Sequence, residues 1–156
     1  MDLFPDFRDL LAAFVASKVE FVLIGGYAVI FHGRPRATKD LDLFVSIDAD
    51  NRARLADALE LFGAPRRVVD GARDLAPGEV VYFGVSPLRV DILASASGIE
   101  FRTVHDRAVK TSLDDVPVSV IALDDLIANK RASGRPRDLE DAAELERIRE
   151  RHRGAQ

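Results

Sequence analysis

Two aspartates separated by a single residue, Asp40 and Asp42, are the first candidates for chemistry in this sequence. They open the run DLDLFV at 40–45, which is typical of a β-strand, and alternate residues of a strand project from the same face. The two carboxylates are therefore expected side by side, with Leu41 and Leu43 in the core. Two like charges so close repel each other unless a cation compensates. A magnesium ion that also binds substrate phosphates is a common compensation.

A D-x-D pair alone is a short motif that occurs in several unrelated settings. It is found in solvated turns, in calcium-binding loops, in metal-dependent glycosyltransferases and in dehalogenase-type phosphatases. The dehalogenase pattern requires a threonine two residues after the second aspartate, and Phe44 stands there. A calcium loop is disfavoured because the apolar neighbours indicate a strand rather than an oxygen-rich loop. The motif therefore needs support from its surroundings.

A glycine pair supplies part of that support. The β-prone run 20–24 stops at Gly25 and Gly26, and 27–31 is predicted to be a helix that begins directly at the glycines. The free N–H groups of such a helix start can accept a triphosphate, and Gly26 would let the phosphates approach the backbone closely. An isolated glycine pair more often makes only a tight turn. Beside the D-x-D strand, phosphate binding becomes the better interpretation.

Asp91 is a third candidate, because it interrupts an apolar strand between Val90 and Ile92. Burying a charge there is costly without a partner. That partner is either a metal ion or an arginine, for which Arg89 and Arg102 are the nearest choices.

The elements that must position these residues follow from hydrophobic periodicity and turn residues. We predict an amphipathic helix from Leu3 to Val15, strands at 20–24 and 40–45, and a helix at 51–62. A hairpin at 80–85 and 88–93 turns at Ser86 and Pro87, and a further strand covers 116–122. Helices at 123–132 and 139–148 flank Ser133 to Pro136. Strands interleaved with helices imply an α/β fold with a mixed sheet.

Length and composition limit the class of protein. The chain has 156 residues, 47% hydrophobic and 31% charged, which suits a single globular domain spanning 1–156. There is no cysteine, so disulfides, zinc thiolate sites and cysteine nucleophiles are excluded. A formal net charge of −4 argues against nonspecific coating of nucleic acid. No apolar stretch approaches membrane-spanning length, and we expect a cytoplasmic protein without a membrane partner.

Three segments together resemble the polymerase-β-like nucleotidyltransferases, in the minimal bacterial branch near AbiEii-type toxins and MNT-type proteins. The segments are LIGGYA at 23–28, HGRPRATKDLDL at 32–43 and VDIL at 90–93. The resemblance implies that family's fold, a mixed sheet flanked by helices. It also implies two magnesium ions held by Asp40, Asp42 and Asp91, with a nucleoside triphosphate as substrate and two-metal chemistry.

Residues around these motifs are candidates for binding the triphosphate. Arg34, Arg36 and Lys39 precede the carboxylates, where cations contact phosphates or offset the repulsion of Asp40 and Asp42. Arg36 and Thr38 match an R-x-T-x-D-x-D run of the AbiEii-like branch, although Thr38 equally fits a loop cap. For His32 a local hydrogen bond is favoured over a role with phosphate.

A second segment, KRASGRPRDLED at 130–141, resembles a C-terminal signature of the same branch. It admits two interpretations. Gly134 would end one helix, Pro136 would begin the next, and Asp138 and Asp141 would favour the positive end of that second helix. Alternatively, Lys130 reaches back to the triphosphate. The arginine-rich stretch from 147 to 153 is expected to be a solvated, fraying end.

Three hypotheses of function remain at this point. The first is an active nucleotidyltransferase that modifies a tRNA or a protein hydroxyl, in a toxin–antitoxin setting with a partner protein. The second is a noncatalytic nucleotide-binding or antitoxin-like module with the same fold, which the presence of all three carboxylates disfavours. The third is a metal-dependent glycosyltransferase, which the short length and the glycine pair disfavour. The sequence leaves the base of the nucleotide, the acceptor and the oligomeric state open.

Overall fold

A computed structural model describes residues 3–85 and 87–155 and shows a mixed six-stranded sheet with helices. The strand order is β3-β4-β2-β1-β6-β5. In chain order the elements are α1 (Pro5–Ala16), β1 (Phe21–Ile24), α2 (Gly25–Phe31), β2 (Asp40–Val45), α3 (Ala49–Phe62), α4 (Arg66–Arg73), β3 (Val80–Phe83), β4 (Arg89–Leu93), α5 (Phe101–Arg107), β5 (Val109–Leu113), β6 (Val116–Val120), α6 (Leu123–Ser133) and α7 (Pro136–Gly154). The predicted α/β class with a mixed sheet is confirmed.

Strand β2 lies inside the sheet and sets the positions of the candidate carboxylates. It pairs antiparallel with β1 and parallel with β4. The register places Asp42 opposite Asp91, and Asp91 opposite Tyr82 of β3. Because side chains alternate along a strand, these three residues share one face of the sheet, and Leu41 and Leu43 share the other. Both leucines are fully buried, as predicted.

Helix α1 forms because apolar residues recur along one stripe of its surface. Phe7, Leu10, Leu11 and Phe14 are buried in the main core. Pro5 stands at the start of the helix, where its missing N–H costs nothing. The helix therefore begins two residues later than predicted, and Leu3 is buried ahead of it.

Most predicted elements are confirmed, including β1, β2 and the β3–β4 hairpin. Ser86, assigned with Pro87 to the hairpin turn, lies outside the described residues. The strand predicted at 116–122 is shorter, since β6 ends at Val120. Three elements were not predicted, namely α4, α5 and β5, because each is short and carries few apolar residues in a regular period.

The C-terminal helix corrects another prediction. Helix α7 continues to Gly154 instead of ending at Ile148 and fraying. Ion pairs along it support the added turns, with Arg147 on Glu144 at 3.0 Å and Arg149 on Asp124 at 2.9 Å. Such exposed pairs contribute about 0.3–0.5 kcal/mol each, so they add to helix propensity rather than replace it.

The β5–β6 hairpin turns through two aspartates in left-handed backbone conformation. Asp114 has φ 48° and Asp115 has φ 65°. A two-residue turn of this kind matches the twist of the strands but normally carries asparagine or glycine. Asp114 also anchors the N-terminal segment, because its Oδ2 accepts a hydrogen bond from the backbone N–H of Leu3 at 2.8 Å.

The helices differ in length and polarity, and α7 with 19 residues carries many charged side chains. No helix in the described part of the chain is both long and apolar enough to cross a bilayer.

Candidate active site

A cleft of about 370 Å³ brings together most of the residues that the sequence singled out for metal or phosphate, although Arg34 and Lys39 are not among its lining residues. Small-molecule sites typically measure about 300–1,000 Å³, so this volume suits a ligand. The candidate residues among its lining are Gly25, Gly26, Arg36, Thr38, Asp40, Asp42, Asp91 and Lys130. The structure thus gathers residues from β1 to α6 around one space.

The floor of the cleft is formed by the carboxylates of β2 and β4. Asp42 and Asp91 are register partners on adjacent parallel strands, which run about 4.8 Å apart. Asp40 stands two residues earlier on the same face and is exposed, whereas Asp42 is half-buried. This is the side-by-side arrangement expected from the D-x-D spacing.

The pKa of Asp42 is raised to about 7 from its ordinary value of 3.8. Burial is the main cause, because removing water disfavours the charged form. The charge of Asp91, a hydrogen bond with Asp91 and the charge of Asp40 raise it further, while the charge of Lys130 lowers it. The charged form of Asp42 is therefore disfavoured as long as no further cation is bound nearby.

The three carboxylates do not converge into a finished metal site. Within residues 3–85 and 87–155, no three acidic, histidine or cysteine side chains are arranged as a set of metal ligands. Asp91 Oδ1 accepts a hydrogen bond from Arg89 Nε at 2.7 Å. The ion pair that the sequence offered as the alternative role for Asp91 is thus present. Arg102 pairs with Glu20 instead, at 2.8 Å.

The glycine pair forms the strand-to-helix turn at one wall of the cleft. Gly25 has φ +70°, a conformation that other residues rarely adopt, and a Cβ there would overlap Asp42 Oδ2. A Cβ on Gly26 would lie 2.6 Å from Thr38 Oγ1. Both glycines are therefore required first by the chain's own side chains, which sequence alone did not indicate.

Lys130 lines the cleft and is held by buried and half-buried carboxylates. Lys130 Nζ is 3.1 Å from Asp138 Oδ1 and 3.2 Å from Asp141 Oδ2. Asp141, only 1% exposed, also pairs with Arg36 at 2.6 Å and with Arg34 at 3.2 Å. One buried carboxylate thus holds three cations at the edge of the cleft.

This cluster bears on one of the two roles expected for the basic loop, the offsetting of the repulsion between Asp40 and Asp42. Arg34 and Arg36 pair with Asp141 and not with the D-x-D carboxylates, and Lys39 is exposed. The cation that lowers the pKa of Asp42 is Lys130. Asp141 acts through these ion pairs and lies beyond the first turn of α7, so the helix-end role expected for it is wrong.

Other local expectations are confirmed. Gly134 ends α6 with φ 72°, Pro136 begins α7, and Asp138 lies in its first turn. Thr38 Oγ1 donates to the Asp40 carbonyl at 3.3 Å, so it caps its loop while lining the cleft. A ring nitrogen of His32, Nε2, lies 2.7 Å from the Ile121 carbonyl, which is the local hydrogen bond that was favoured.

Several polar residues of the cleft were not predicted from the sequence. Ser95 and Ser97 follow β4, and Asn129 of α6 donates to the Ser97 carbonyl at 2.9 Å. Ser133 and Arg135 complete that rim. Short polar residues after a strand resemble any loop, so no sequence signal separated them from their neighbours.

Nearly the whole chain matches one family of known proteins. The family model described as "Nucleotidyl transferase AbiEii toxin, Type IV TA system" matches residues 8–154. The chain belongs to the AbiEii nucleotidyltransferase toxin family. Its members are nucleotidyltransferases by description, which agrees with the resemblance carried by the glycine pair and the D-x-D strand. A search of curated protein sequences finds no significant match.

A solved structure supports the fold of this AbiEii-family chain. The chain is similar to the crystal structure of ANT(2")-Ia in complex with adenylyl-2"-tobramycin, with a TM-score of 0.52 and 14% identity. The match covers 96% of this chain and 95% of the other. At that identity the likeness shows a shared nucleotidyltransferase fold.

Proposed function

We propose that this chain transfers a nucleoside monophosphate from a nucleoside triphosphate to a hydroxyl group of an RNA or a protein, within a toxin–antitoxin system. The observation that carries the proposal is the cleft itself. Three carboxylates on adjacent strands, the glycine turn, Arg36 and Lys130 all line it. Carboxylates that can bind a metal ion and cations that can bind phosphate thus line one space.

The residues of the floor fit magnesium by their chemistry. Magnesium prefers carboxylate oxygens together with substrate phosphates, and Asp40, Asp42 and Asp91 supply such oxygens on one face. The pKa of Asp42 is raised mainly by burial and further by the charges of Asp91 and Asp40, and a bound cation would relieve both effects. When bound, two magnesium ions would supply charge neutralisation for the triphosphate and a lower pKa for the acceptor hydroxyl.

Lys130 has a donor left for the triphosphate. An ammonium group carries three N–H donors, and the two ion pairs with Asp138 and Asp141 use two of them. Those carboxylates also fix the position of the side chain, which is 7% exposed. Lys130 therefore presents its remaining donor to the cleft without losing rotamer freedom on binding.

Arg36 makes a similar contribution. It lines the cleft, and its Nη1 is held by Asp141 at 2.6 Å. Its buried Nε has no hydrogen-bond partner among the described residues. Because an unpaired buried donor is costly, an anionic ligand at this wall would be favoured.

In the proposed reaction, the acceptor oxygen forms a bond to the α-phosphorus of the triphosphate. The bond from that phosphorus to the bridging oxygen breaks, and pyrophosphate leaves with the electron pair. The hydroxyl proton passes to water. The protein's contribution is to orient the triphosphate on Lys130 and Arg36 and to hold the carboxylates at the reacting phosphate.

The test is to incubate the purified chain with each α-labelled triphosphate, magnesium and either total cellular RNA or total protein. Label should appear in one acceptor fraction and with one base, and it should disappear in Asp42→Asn. The matched control is Asp57→Asn, which removes an exposed carboxylate on α3 and should transfer label normally. Triphosphate binding without transfer to any fraction would instead support the noncatalytic partner module.

A further inference from the structure

Arg89 bonds one carboxylate of the cleft and stacks on a neighbouring aromatic ring. Its Nε lies 2.7 Å from Asp91 Oδ1, and its guanidinium carbon lies 4.3 Å from the centroid of the Tyr82 ring. In the part of the chain that the structure describes, no other lysine or arginine forms an ion pair with Asp40, Asp42 or Asp91. The guanidinium is therefore the one cation bonded to the proposed metal ligands.

The order of the strands gives this contact a direction. Tyr82, Asp91 and Asp42 follow one another across β3, β4 and β2, and the glycine turn ends β1 beyond them. Tyr82 therefore lies on the side of Asp91 that is away from the glycine turn, and Arg89 bonds Asp91 beside it.

We infer that Arg89 is an internal counter-ion that competes with a divalent cation for Asp91, and that the Tyr82 ring holds the guanidinium at that carboxylate. This inference rests on the proposed metal-dependent function. The guanidinium donates to Asp91 Oδ1, and its positive charge repels a metal ion at the same carboxylate, so each weakens the binding of the other. Arg89 is thereby a positioning residue, since it acts through Asp91.

The residue type suits this role. A planar guanidinium can lie on an aromatic face and donate to a carboxylate at the same time, which a lysine ammonium does less well. The Arg89 side chain is 50% exposed, against 17% for Asp91. It can therefore swing into solvent without opening the core, while the carboxylate stays in place.

Arg89→Met is the direct test, because methionine keeps much of the apolar stem but has no charge and no donor. We expect calorimetric titration with Mn²⁺ to show binding about 3- to 10-fold tighter than in wild type, since the competing cation is gone. The Mn²⁺ affinity of Arg89→Lys should lie between those of the wild type and Arg89→Met, because the charge remains but the stacked geometry is lost.

Arg67→Met is the matched control for loss of a nearby positive charge. Arg67 is exposed and donates to the Tyr82 carbonyl at 3.3 Å, on the same strand as the stacked ring. Within the described residues it has no acidic partner at ion-pair distance. Mn²⁺ affinity should therefore stay within about twofold of wild type in this variant.

Tyr82→Leu tests whether the ring holds the arginine. Alone, it should tighten Mn²⁺ binding about two- to threefold by loosening Arg89 from Asp91. Combined with Arg89→Met it should add nothing, because the ring then has no guanidinium to hold. A purely structural role for Tyr82 would give the same change in both backgrounds.

The outcomes separate this inference from the proposed function. Equal Mn²⁺ affinity in wild type and Arg89→Met, or weaker binding in the variant, would overturn the counter-ion role while leaving metal dependence intact. If Arg67→Met bound Mn²⁺ as much more tightly as Arg89→Met does, the loss of any nearby positive charge would explain the effect. That result would also overturn the counter-ion role. Absence of Mn²⁺ binding in wild type and in Arg89→Met would overturn both.

Discussion

The Asp42 carboxyl lies between two other aspartates and is half-buried, so both its neighbours and its surroundings oppose ionisation. Asp141 shows the opposite situation, because three cations surround it and each is within 3.2 Å. Loss of the negative charge at Asp42 would remove repulsion between neighbouring carboxylates. At Asp141 the same loss would leave the three cations without the carboxylate that they share. Matched substitutions at the two positions should therefore have opposite effects on stability.

For Asp42→Asn the effect depends on pH. The folded protein holds the Asp42 proton up to about pH 7, whereas the unfolded chain releases it near the ordinary value of 3.8. The free energy of unfolding of the wild type therefore falls as pH rises through this window. Because asparagine does not titrate, the variant should gain about 2–3 kcal/mol relative to wild type between about pH 5 and about pH 8. Urea unfolding at both pH values measures this.

Asp57→Asn, on the exposed face of α3, is the control for that series and should show no such gain. A variant at Asp42 that is much less stable than wild type at both pH values would contradict the argument. It would mean that Asp42 is held by bonds the fold needs.

For Asp141→Asn we expect a large loss of stability, since removing one partner of a buried ion pair typically costs about 3–5 kcal/mol. Arg34, Arg36 and Lys130 would each lose a carboxylate oxygen within 3.2 Å. Urea unfolding should be compared with Glu146→Gln, which removes the exposed pair with Arg131 at 2.9 Å. That control should change stability by less than about 1 kcal/mol, and a similar small change in Asp141→Asn would refute the cluster's role.

At the scale of elements, local chemistry explains which strands and helices were predictable. In the D-x-D strand and the β3–β4 hairpin, apolar and polar residues alternate regularly, and glycine or proline bounds the segments. A few consecutive residues therefore suffice to predict these strands. Strand β5 is different. Its turn carries Asp114 and Asp115 in left-handed conformation, where glycine or asparagine would mark a hairpin in the sequence.

Asp115→Gly should therefore stabilise the β5–β6 hairpin. Asp115 is exposed with φ 65°, and glycine adopts this conformation without strain. We expect a gain of about 0.5–1 kcal/mol in the free energy of unfolding. Asp114→Gly is the matched comparison, because it relieves similar strain but removes the 2.8 Å bond to the Leu3 backbone. A loss of stability in Asp115→Gly would show that its side chain, and not its backbone, decides the turn.

At the scale of the molecule, the cleft depends on contacts between distant parts of the chain. Arg36 and Asp141 are 105 positions apart, and β1 pairs with β6 through Leu23 and Val120. Periodicity cannot reveal such pairings, which is why the sequence located the carboxylates but did not indicate Asp141 as the partner of Arg34 and Arg36. The family resemblance supplied the grouping of Asp91 and Lys130 with the D-x-D pair. The chemistry of these residues stays a prediction.

A thermal-shift series tests the assembled cleft. Melting temperature should rise more with magnesium plus a triphosphate than with either alone. Magnesium neutralises the negative charge of both the carboxylates and the phosphates, and ligand binding stabilises the folded state. Asp42→Asn should abolish the joint rise while melting no lower than wild type without ligands. Equal shifts with and without magnesium would argue that the triphosphate binds without a metal ion.

The position of α6 and α7 at the cleft wall has a consequence for the timing of activity during synthesis. The strands with Asp42 and Asp91 leave the ribosome well before Lys130 and Asp138, which complete the opposite wall. A growing chain therefore carries the acidic floor without the lysine that faces it. For a member of a toxin family, we expect translation products truncated before α6 to be inert, so that the hazard to the cell begins only once α7 has been made and docked.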